Sequence, residues 1–459
     1  MFDMQTWFVL CIFFATVFVI IWRPFGVNES VPAAAGAVVL FVAGVVPLQD
    51  VYYIAATVSG AAVTILSTII MSIVMESVGF FRWAAFNLAK KANGSGLALF
   101  WYTNLLCFLM TMFFNNDGSI LIATPIIIQT LTILNLKSHQ KIPYLLSGVL
   151  VATGSSAPIG VSNLANLIAL NIVNLDLNQY IAMMFVPSML GIGAMLIVLF
   201  LYFKRSIPRR IPLLTQASIT QMTVYYSNRT MRERYHPLAV EKHEVQEIDW
   251  NMFRVCLTLV VLIRISFFAL APLHISTEWP ALAGAVLLIA VRWYYKRIGP
   301  YDVLKRTPWH ILVFAFGMYV VVYGLYNTGM TSFIVEAFKA PIAESHWAAV
   351  FIPGLLLTVM SNLCNNLPSV MIGTISITEM QLASPTLQVA YLANVIGSDI
   401  GALLLPIGTL ASLLWMFILR ENKIPFTFGQ YVKAALVAVP VGLVVSLFGL
   451  YVWTKWLFF

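Results

Sequence analysis

The sequence predicts an all-α polytopic membrane protein with inverted structural repeats, each with a re-entrant hairpin and a broken transmembrane helix. Three observations lead to this prediction: the composition, the matched spacing of interrupted apolar segments, and the distribution of Lys and Arg. Of the 459 residues, 60% are hydrophobic and 10% are charged, with a mean hydropathy of +0.89. A soluble fold of this length needs more charge on its surface, so the composition excludes a soluble enzyme or a nucleic-acid-binding protein.

Apolar runs long enough to cross a hydrocarbon core of about 30 Å recur from Trp7 to Trp453. The first run lacks a basic start and an Ala-x-Ala cleavage site, so we predict a retained helix there. One long stretch is polar, and it divides the chain. The predicted organisation is an N-terminal half over residues 1–203, a charged cytoplasmic loop over 204–250, and a C-terminal half over 251–459.

Two apolar segments are interrupted by consecutive amides. Asn115-Asn116-Asp117-Gly118 interrupts residues 97–134, and Asn365-Asn366-Leu367-Pro368 interrupts residues 348–380. Such sequences cannot face lipid, because each unsatisfied backbone group there costs several kcal/mol. We therefore predict two re-entrant hairpins whose tips face protein or a watery cavity.

A second pair of interruptions follows at nearly the same distance, within residues 143–174 and 387–419. From Asn116 to Pro158 is 42 residues, and from Asn366 to Pro406 is 40. This spacing predicts one broken helix behind each hairpin.

The basic residues predict how the repeats are oriented, because short cytoplasmic loops gather Lys and Arg. If residues 51–81 form one tilted helix, an external amino terminus puts 23 of the 26 Lys and Arg at the cytoplasmic side. The exceptions are Arg264, Lys339 and Lys455. The two hairpins then enter from opposite faces, which is the plan of a secondary transporter with its site near the midplane.

The interruptions supply candidate binding residues, because amides and hydroxyls both donate and accept hydrogen bonds. This chemistry suits a polyhydroxylated solute or a coordinated ion, whereas scattered Ser and Thr elsewhere are better explained by helix packing. The candidate substrate-binding residues are Asn115, Asn116, Ser155, Ser156, Ser162, Asn163, Cys364, Asn365, Asn366 and Thr409.

Ionisable residues at membrane depth are expensive and suggest function. Asp117 at the first tip and Asp399 in the second broken helix are the candidates for proton coupling. Arg264 lies in mid-helix, and either a functional or a structural ion pair with a carboxylate would explain it. The four cysteines are dispersed, so neither a disulfide framework nor a metal site is predicted. Phosphate-loop, zinc-protease and hydrolase motifs are absent, so we predict no cofactor and no enzymatic activity.

Four motifs together resemble a known family. They are FFNNDGSILIATPIII (residues 113–128), GVSNLANLIA (160–169), SNLCNNLPSVMIG (361–373) and IGSDIGALLLPIGTLASLLWM (396–416). In order and spacing they resemble the bacterial arsenical-pump membrane proteins of the ion transporter superfamily, across nearly the whole chain. The resemblance implies a multi-pass protein of the bacterial inner membrane that exports arsenite or antimonite in exchange for protons.

The resemblance also implies that some members work with a soluble arsenite-stimulated ATPase, and that scaffold helices often form a homodimer. Arsenite near neutral pH is mainly an uncharged trihydroxide, and the four motif windows contain no Lys or Arg, as a neutral solute would require. Carriers of this fold that bind dicarboxylates also manage without cations, by using helix dipoles. A sodium-coupled anion carrier, a Na⁺/H⁺ antiporter and a silicic acid exporter therefore stay open as alternatives.

Overall fold

The protein is all-helical in the parts that the computed structural model describes, which are residues 3–173, 175–213 and 249–458. Most of the predicted loop over 204–250 lies outside these residues. The first half contains α1 (Met4–Trp22), α2 (Ser30–Val42), α3 (Leu48–Val78), α4 (Phe80–Lys91), α5 (Gly96–Phe113), α6 (Asn116–Ile133), α7 (Ser138–Gly154), α8 (Leu164–Val173) and α9 (Leu177–Phe203). The second half contains α10 (Trp250–Ala269), α11 (Glu278–Lys296), α12 (Tyr301–Arg306), α13 (His310–Asn327), α14 (Met330–Glu344), α15 (His346–Cys364), α16 (Asn366–Glu379), α17 (Ser384–Asp399), α18 (Leu410–Glu421) and α19 (Phe428–Phe458).

Nine helical segments within the described residues are long and apolar enough to cross a membrane. The predicted class, an all-α polytopic membrane protein, is confirmed. The helix on which the predicted orientation depends, α3, is continuous over 31 residues. At 1.5 Å per residue it is about 46 Å long, which is enough to span a bilayer with tilt.

Both predicted tips coincide with a helix end followed at once by a new helix. Helix α5 ends at Phe113 and α6 begins at Asn116, whereas α15 ends at Cys364 and α16 begins at Asn366. The second reversal occurs at Asn365, whose backbone φ of 74° lies in a region that residues other than glycine rarely adopt. Each reversal places an amide side chain at the start of the returning helix.

The chain is also non-helical between α7 and α8 and between α17 and α18. The second gap contains two short 3₁₀ turns, Gly401–Leu404 and Pro406–Gly408. Both gaps leave backbone groups without α-helical partners, and they are buried within the protein rather than facing lipid.

Helices at the same place in the two halves pack in corresponding ways. The returning arm of each hairpin packs against the second piece of the other half's broken helix, so α6 contacts α18 and α16 contacts α8. Helices α2 and α3 pack against α13 and α11 respectively, and α9 packs along α19. These crosswise contacts bring the two gaps together in the interior.

Candidate functional site

The two broken helices meet at a single buried carboxylate. Asp399 is the last residue of α17, and its side chain is 1% exposed. It accepts hydrogen bonds from Ser156 Oγ at 2.7 Å, Asn163 Nδ2 at 2.8 Å and Asn166 Nδ2 at 2.6 Å. All three donors come from the other half of the chain, so the cluster joins the halves. We refer to these four residues as the Asp399 cluster.

The Asp399 cluster lacks a positive partner. No Lys, Arg or His forms an ion pair with Asp399 within the residues that the structure describes. The carboxylate also lies at the carboxyl end of a helix, where the macrodipole is unfavourable for negative charge. A buried carboxylate held only by neutral donors is suited to take up a proton or a cation, because either neutralises it.

Local structure explains how the three donors are positioned. Ser156 lies in the turn that follows α7, and its hydroxyl also contacts the carbonyl of Thr153 at 2.7 Å. The chain then turns at Gly160, whose φ is 71° and where an added Cβ would lie 3.1 Å from the Tyr180 ring. That glycine is therefore required both for the backbone conformation and for the close packing.

The start of α8 carries the two amide donors. The Asn163 Oδ1 atom accepts from the backbone N–H of Ala165 at 3.0 Å, so this side chain caps the helix while its Nδ2 atom reaches Asp399. Asn166 lies in the first turn, and its carbonyl accepts from the Tyr391 hydroxyl at 3.1 Å. Its Oδ1 atom is buried and has no hydrogen-bond partner among the described residues. The amide therefore has acceptor capacity left for a solute.

The first hairpin tip is attached to this same region. The backbone N–H of Asn116 donates to the carbonyl of Ser162 at 3.1 Å. Asn115 caps α6 by accepting from the Gly118 N–H at 2.6 Å, and it donates to Thr68 Oγ1 at 3.3 Å. The Ser162 hydroxyl is fully buried and makes no hydrogen bond in the described structure. Asp117 follows in the first turn of α6 and is half-buried.

Arg264 reaches the first tip from α10. Its Nε atom donates to the carbonyl of Phe113 at 2.5 Å, and a terminal nitrogen donates to the carbonyl of Phe114. The guanidinium thus caps the carboxyl end of α5, which is favourable for a cation. The expected pairing with a carboxylate is not found among the described residues. Arg264 also brings a positive charge to motifs that contain none, from about 150 residues away in the chain.

The second tip is organised differently. Asn365 Nδ2 donates to the carbonyl of Ile407 at 3.2 Å, which ties the tip to the second gap. The same gap is held by Asn362, whose Nδ2 donates to the Gly401 carbonyl and whose Oδ1 accepts from the Leu405 N–H, each at 2.8 Å. Asn366 is 7% exposed beside it. Asn362 was not predicted as a site residue, although it lies within the same motif.

The other predicted residues lie around these two tips. Thr409 caps α18 and donates to Ser412 Oγ at 2.9 Å, so its hydroxyl is already bonded within its own half. Ser155 donates to the Val151 carbonyl of its own helix at 2.5 Å. Cys364 ends α15 and is partly exposed. No group of three or more His, Cys, Asp and Glu side chains that could hold a metal ion occurs in the described parts of the chain.

Comparisons with known proteins agree with this architecture. A family model described as citrate transporter matches residues 17–397. A putative arsenical pump membrane protein of Bacillus subtilis is 47% identical over 97% of this chain and 99% of its own length. An arsenical pump membrane protein of Escherichia coli is 33% identical over 93% of this chain and 94% of its own length. The crystal structure of the Alcanivorax borkumensis YdaH transporter aligns with a TM-score of 0.51 and 13% identity, covering 90% of each chain.

The fold and the relatives together define a polytopic membrane transporter, not an enzyme. The identities and their coverage then give the family: the chain belongs to the arsenical pump membrane proteins, within the wider group that the citrate transporter model describes. The resemblance read from the four motifs is confirmed. The roles of the individual site residues stay predictions.

Proposed function

We propose that this protein is a secondary transporter that exports arsenite and antimonite from the cytoplasm in exchange for protons, by alternating access. The names of its relatives support the substrate class. The observation that carries the coupling is the Asp399 cluster, a buried carboxylate that joins the two halves and has only neutral partners. The hairpin and broken-helix units would move against a scaffold formed by the other helices.

Competition for one carboxylate explains an exchange reaction. A trihydroxide donates hydrogen bonds, so it binds beside Asp399 when that carboxylate is ionised and can accept. Protonation removes much of this acceptor strength and neutralises the charge. A proton taken up from outside therefore releases the solute, and release of the proton inside restores the site. Proton and solute cannot both bind well, which is the requirement for antiport.

The first tip provides the second titratable group. Asp117 follows the two amides that line the tip, and no cation forms an ion pair with it in the described residues. Asn115, Asn116 and Ser162 would contact the solute from this side, with Asn365 and Asn366 opposite. Asp117 at the first tip and Asp399 at the end of α17 would then both take up and release protons.

The proposed function requires the membrane topology that the distribution of Lys and Arg predicts. We place the protein in a bacterial inner membrane, with the amino terminus outside and residues 204–250 in the cytoplasm. The two repeats are then inverted, and the hairpins approach the site from opposite faces. A soluble ATPase partner and a homodimer are not needed for the mechanism and stay implications of the family resemblance.

The description of the family model makes a carboxylate carrier the second candidate. Citrate carries several negative charges, and the ionised Asp399 would repel it within the low-dielectric interior. Sodium ions bound at the tips, or a proton held on Asp399, would have to offset this repulsion. Arg264 is the one observed feature that favours an anion, because its buried Nη1 atom lacks a hydrogen-bond partner among the described residues.

Everted membrane vesicles test the proposal directly. Arsenite uptake is measured under an imposed pH gradient without ATP, with and without sodium, and with citrate as the competing solute. We expect accumulation that an uncoupler abolishes and that neither sodium nor citrate alters. Citrate accumulation that requires sodium would replace the proposed function with the second candidate, and arsenite flux without accumulation would indicate a channel.

A further inference from the structure

A group of exposed cations lies at one end of the helix bundle, away from the Asp399 cluster. Two of them end α4, and four follow α9. All six side chains are exposed. The basic patch consists of Lys90, Lys91, Lys204, Arg205, Arg209 and Arg210.

Backbone hydrogen bonds hold the two parts of the basic patch together. The N–H of Gly96 donates to the Arg209 carbonyl at 3.4 Å, and the N–H of Ile211 donates to the Gly94 carbonyl at 2.9 Å. Ser95 and Arg210 form an isolated antiparallel bridge between these bonds. The Tyr144 hydroxyl fixes the same segment by donating to the Gly96 carbonyl at 3.0 Å. Arg209 and Arg210 are therefore held by backbone hydrogen bonds beside the segment that follows Lys90 and Lys91.

Acidic residues are absent from both segments that form the basic patch. The sequence contains no Asp or Glu from Ser77 to Asn116 or from Leu177 to Arg232. None of the six cations forms an ion pair with any residue that the structure describes. Repulsion among like charges so close together is unfavourable unless an anion lies between them. The basic patch is thus complementary to a negatively charged partner.

The position of the basic patch at the ends of two apolar helices indicates which anion it contacts. It lies where α5 begins and α9 ends, and both helices are long and apolar enough to cross a membrane. Large apolar side chains are exposed beside it, with Tyr202 at 42% and Leu213 at 62%. Cations that flank an apolar, aromatic belt at the end of a span lie at the level of lipid headgroups.

We propose that the basic patch binds the phosphate groups of anionic phospholipids such as phosphatidylglycerol, in the leaflet that the predicted topology makes cytoplasmic. The corresponding helix of the second half gives an internal comparison. Helix α14 carries Glu336, Lys339 and Glu344, so its net charge is negative. The proposal therefore assigns lipid recognition to one face of the protein and is independent of the transported solute.

Lipid binding is tested on the purified full-length protein by native mass spectrometry and by its thermal unfolding in two kinds of vesicle. One kind is phosphatidylcholine alone, and in the other part of it is replaced by phosphatidylglycerol. The patch variant is Lys90→Gln, Lys91→Gln, Arg209→Gln and Arg210→Gln. The matched control removes four other exposed charges, by Lys305→Gln, Arg420→Gln, Lys423→Gln and Lys433→Gln.

We expect the wild type and the control to retain phosphatidylglycerol and to unfold at a higher temperature in its presence. The patch variant should bind this lipid about tenfold more weakly or worse, since each cation near an anionic surface contributes measurably. In the wild type, retention of phosphatidylglycerol should fall as salt is added, because salt screens the attraction between the cations and the lipid phosphate. This measurement tests the proposal even if the patch variant folds poorly.

Three results would overturn the proposal. The patch variant could retain phosphatidylglycerol as well as the control does, or the control could lose it equally. Inorganic phosphate added to phosphatidylcholine vesicles could reproduce the stabilisation, which would show a free-anion site.

Discussion

The two broken helices occupy matching places in the two halves, but only one of them carries an acid. The first reads Gly154-Ser155-Ser156 and the second reads Gly397-Ser398-Asp399. Ser156 and Asp399 are the third residues of these two similar triplets, although Asp399 ends α17 whereas Ser156 lies in the turn after α7, and Ser156 donates a hydrogen bond to Asp399 at 2.7 Å. The two triplets thus differ in chemistry, because one supplies a neutral donor and the other supplies the carboxylate that accepts its hydrogen bond.

The residues around the starts of α8 and α18 differ as well. Asn163 and Asn166 both donate to Asp399, whereas their counterparts Thr409 and Ser412 bond to each other. The neutral donors of one half thus converge on the single charge of the other. The two gaps are placed alike in the chain, and the residues in which they differ form the Asp399 cluster.

The comparison predicts that the acid is the most sensitive position. Asp399→Asn keeps the shape of the side chain but removes the exchangeable charge, so we expect pH-driven arsenite uptake into everted vesicles to fall about 100-fold or more. A loss of about 100-fold corresponds to a free energy of roughly 3 kcal/mol, which is the cost expected when a buried charged network is disrupted. Ser398→Ala is the matched control, because its hydroxyl bonds only to the Val395 carbonyl of its own helix. Equal uptake in both variants would remove Asp399 from the mechanism.

The tips differ in the same way as the gaps, with Asp117 at one and Leu367 at the other. Asp117→Asn should leave arsenite binding measurable while uptake no longer follows the imposed pH gradient, because one proton-carrying group is lost. Asp176→Asn, at the start of α9, is the control for an acid that caps a helix. If uptake in Asp117→Asn still tracked the pH gradient, the coupling would belong to Asp399 alone.

Single substitutions of hydrogen-bond donors test whether the two halves contribute unequally to transport. Asn163→Ala and Asn166→Ala each delete a hydrogen bond to a charged group, which contributes about 1.5–3 kcal/mol, so we expect about 10- to 100-fold weaker transport. Thr409→Ala deletes two bonds between neutral groups, one to Ser412 Oγ and one from the Ser412 N–H, each worth about 0.5–1.5 kcal/mol. Neither bond involves Asp399, so we expect uptake to fall by less than about tenfold. Uptake at several arsenite concentrations separates affinity from rate. Equal losses in both halves would mean that the site is chemically symmetrical.

Much of the fold is predictable because it follows from local chemistry. Consecutive amides beside Gly or Pro cannot face lipid, so Asn115-Asn116 and Asn365-Asn366 are recognisable as interruptions from their residue types alone. The short amphipathic helices α4 and α14 were not predicted, because neither is long or apolar enough to stand out by hydropathy. The sequence predicts one midplane site and points to Asp399, Ser156 and Asn163 as members of it, but nothing in it indicates that Ser156 and Asn163 donate hydrogen bonds to Asp399.

The contribution of Arg264 could not be predicted for the same reason. The four motif windows lack cations, which suggests a site without positive charge. The fold nevertheless brings Arg264 from α10 to the carbonyls of Phe113 and Phe114. Contacts between residues about 150 positions apart leave no local pattern in a single sequence, so only the packing of α10 against α5 reveals this one.

Arg264 holds one tip, whereas the other tip is held by neutral amides. Arg264→Gln removes the charge that caps α5, and we expect about tenfold slower uptake. The apparent arsenite affinity should change less, because Arg264 positions the first tip and does not contact the solute. Arg264→Lys should recover part of the rate. If Arg264→Gln instead abolished citrate or another anion flux while sparing arsenite, the arginine would be a substrate ligand of the second candidate function.

The smallest effect is expected at the one thiol beside a tip. Cys364 lies immediately before Asn365, and Cys364→Ser keeps its size while removing its affinity for trivalent arsenic. A site made of amides and hydroxyls should lose less than about twofold in uptake, because neutral oxygen and nitrogen groups supply its hydrogen bonds. Cys107→Ser, a buried thiol on α5, controls for any general effect of the exchange. A loss confined to Cys364→Ser would mean that the solute forms a bond to the Cys364 sulfur. Such a bond is compatible with transport, because a single thiolate can release arsenic whereas several thiolates would hold it too tightly.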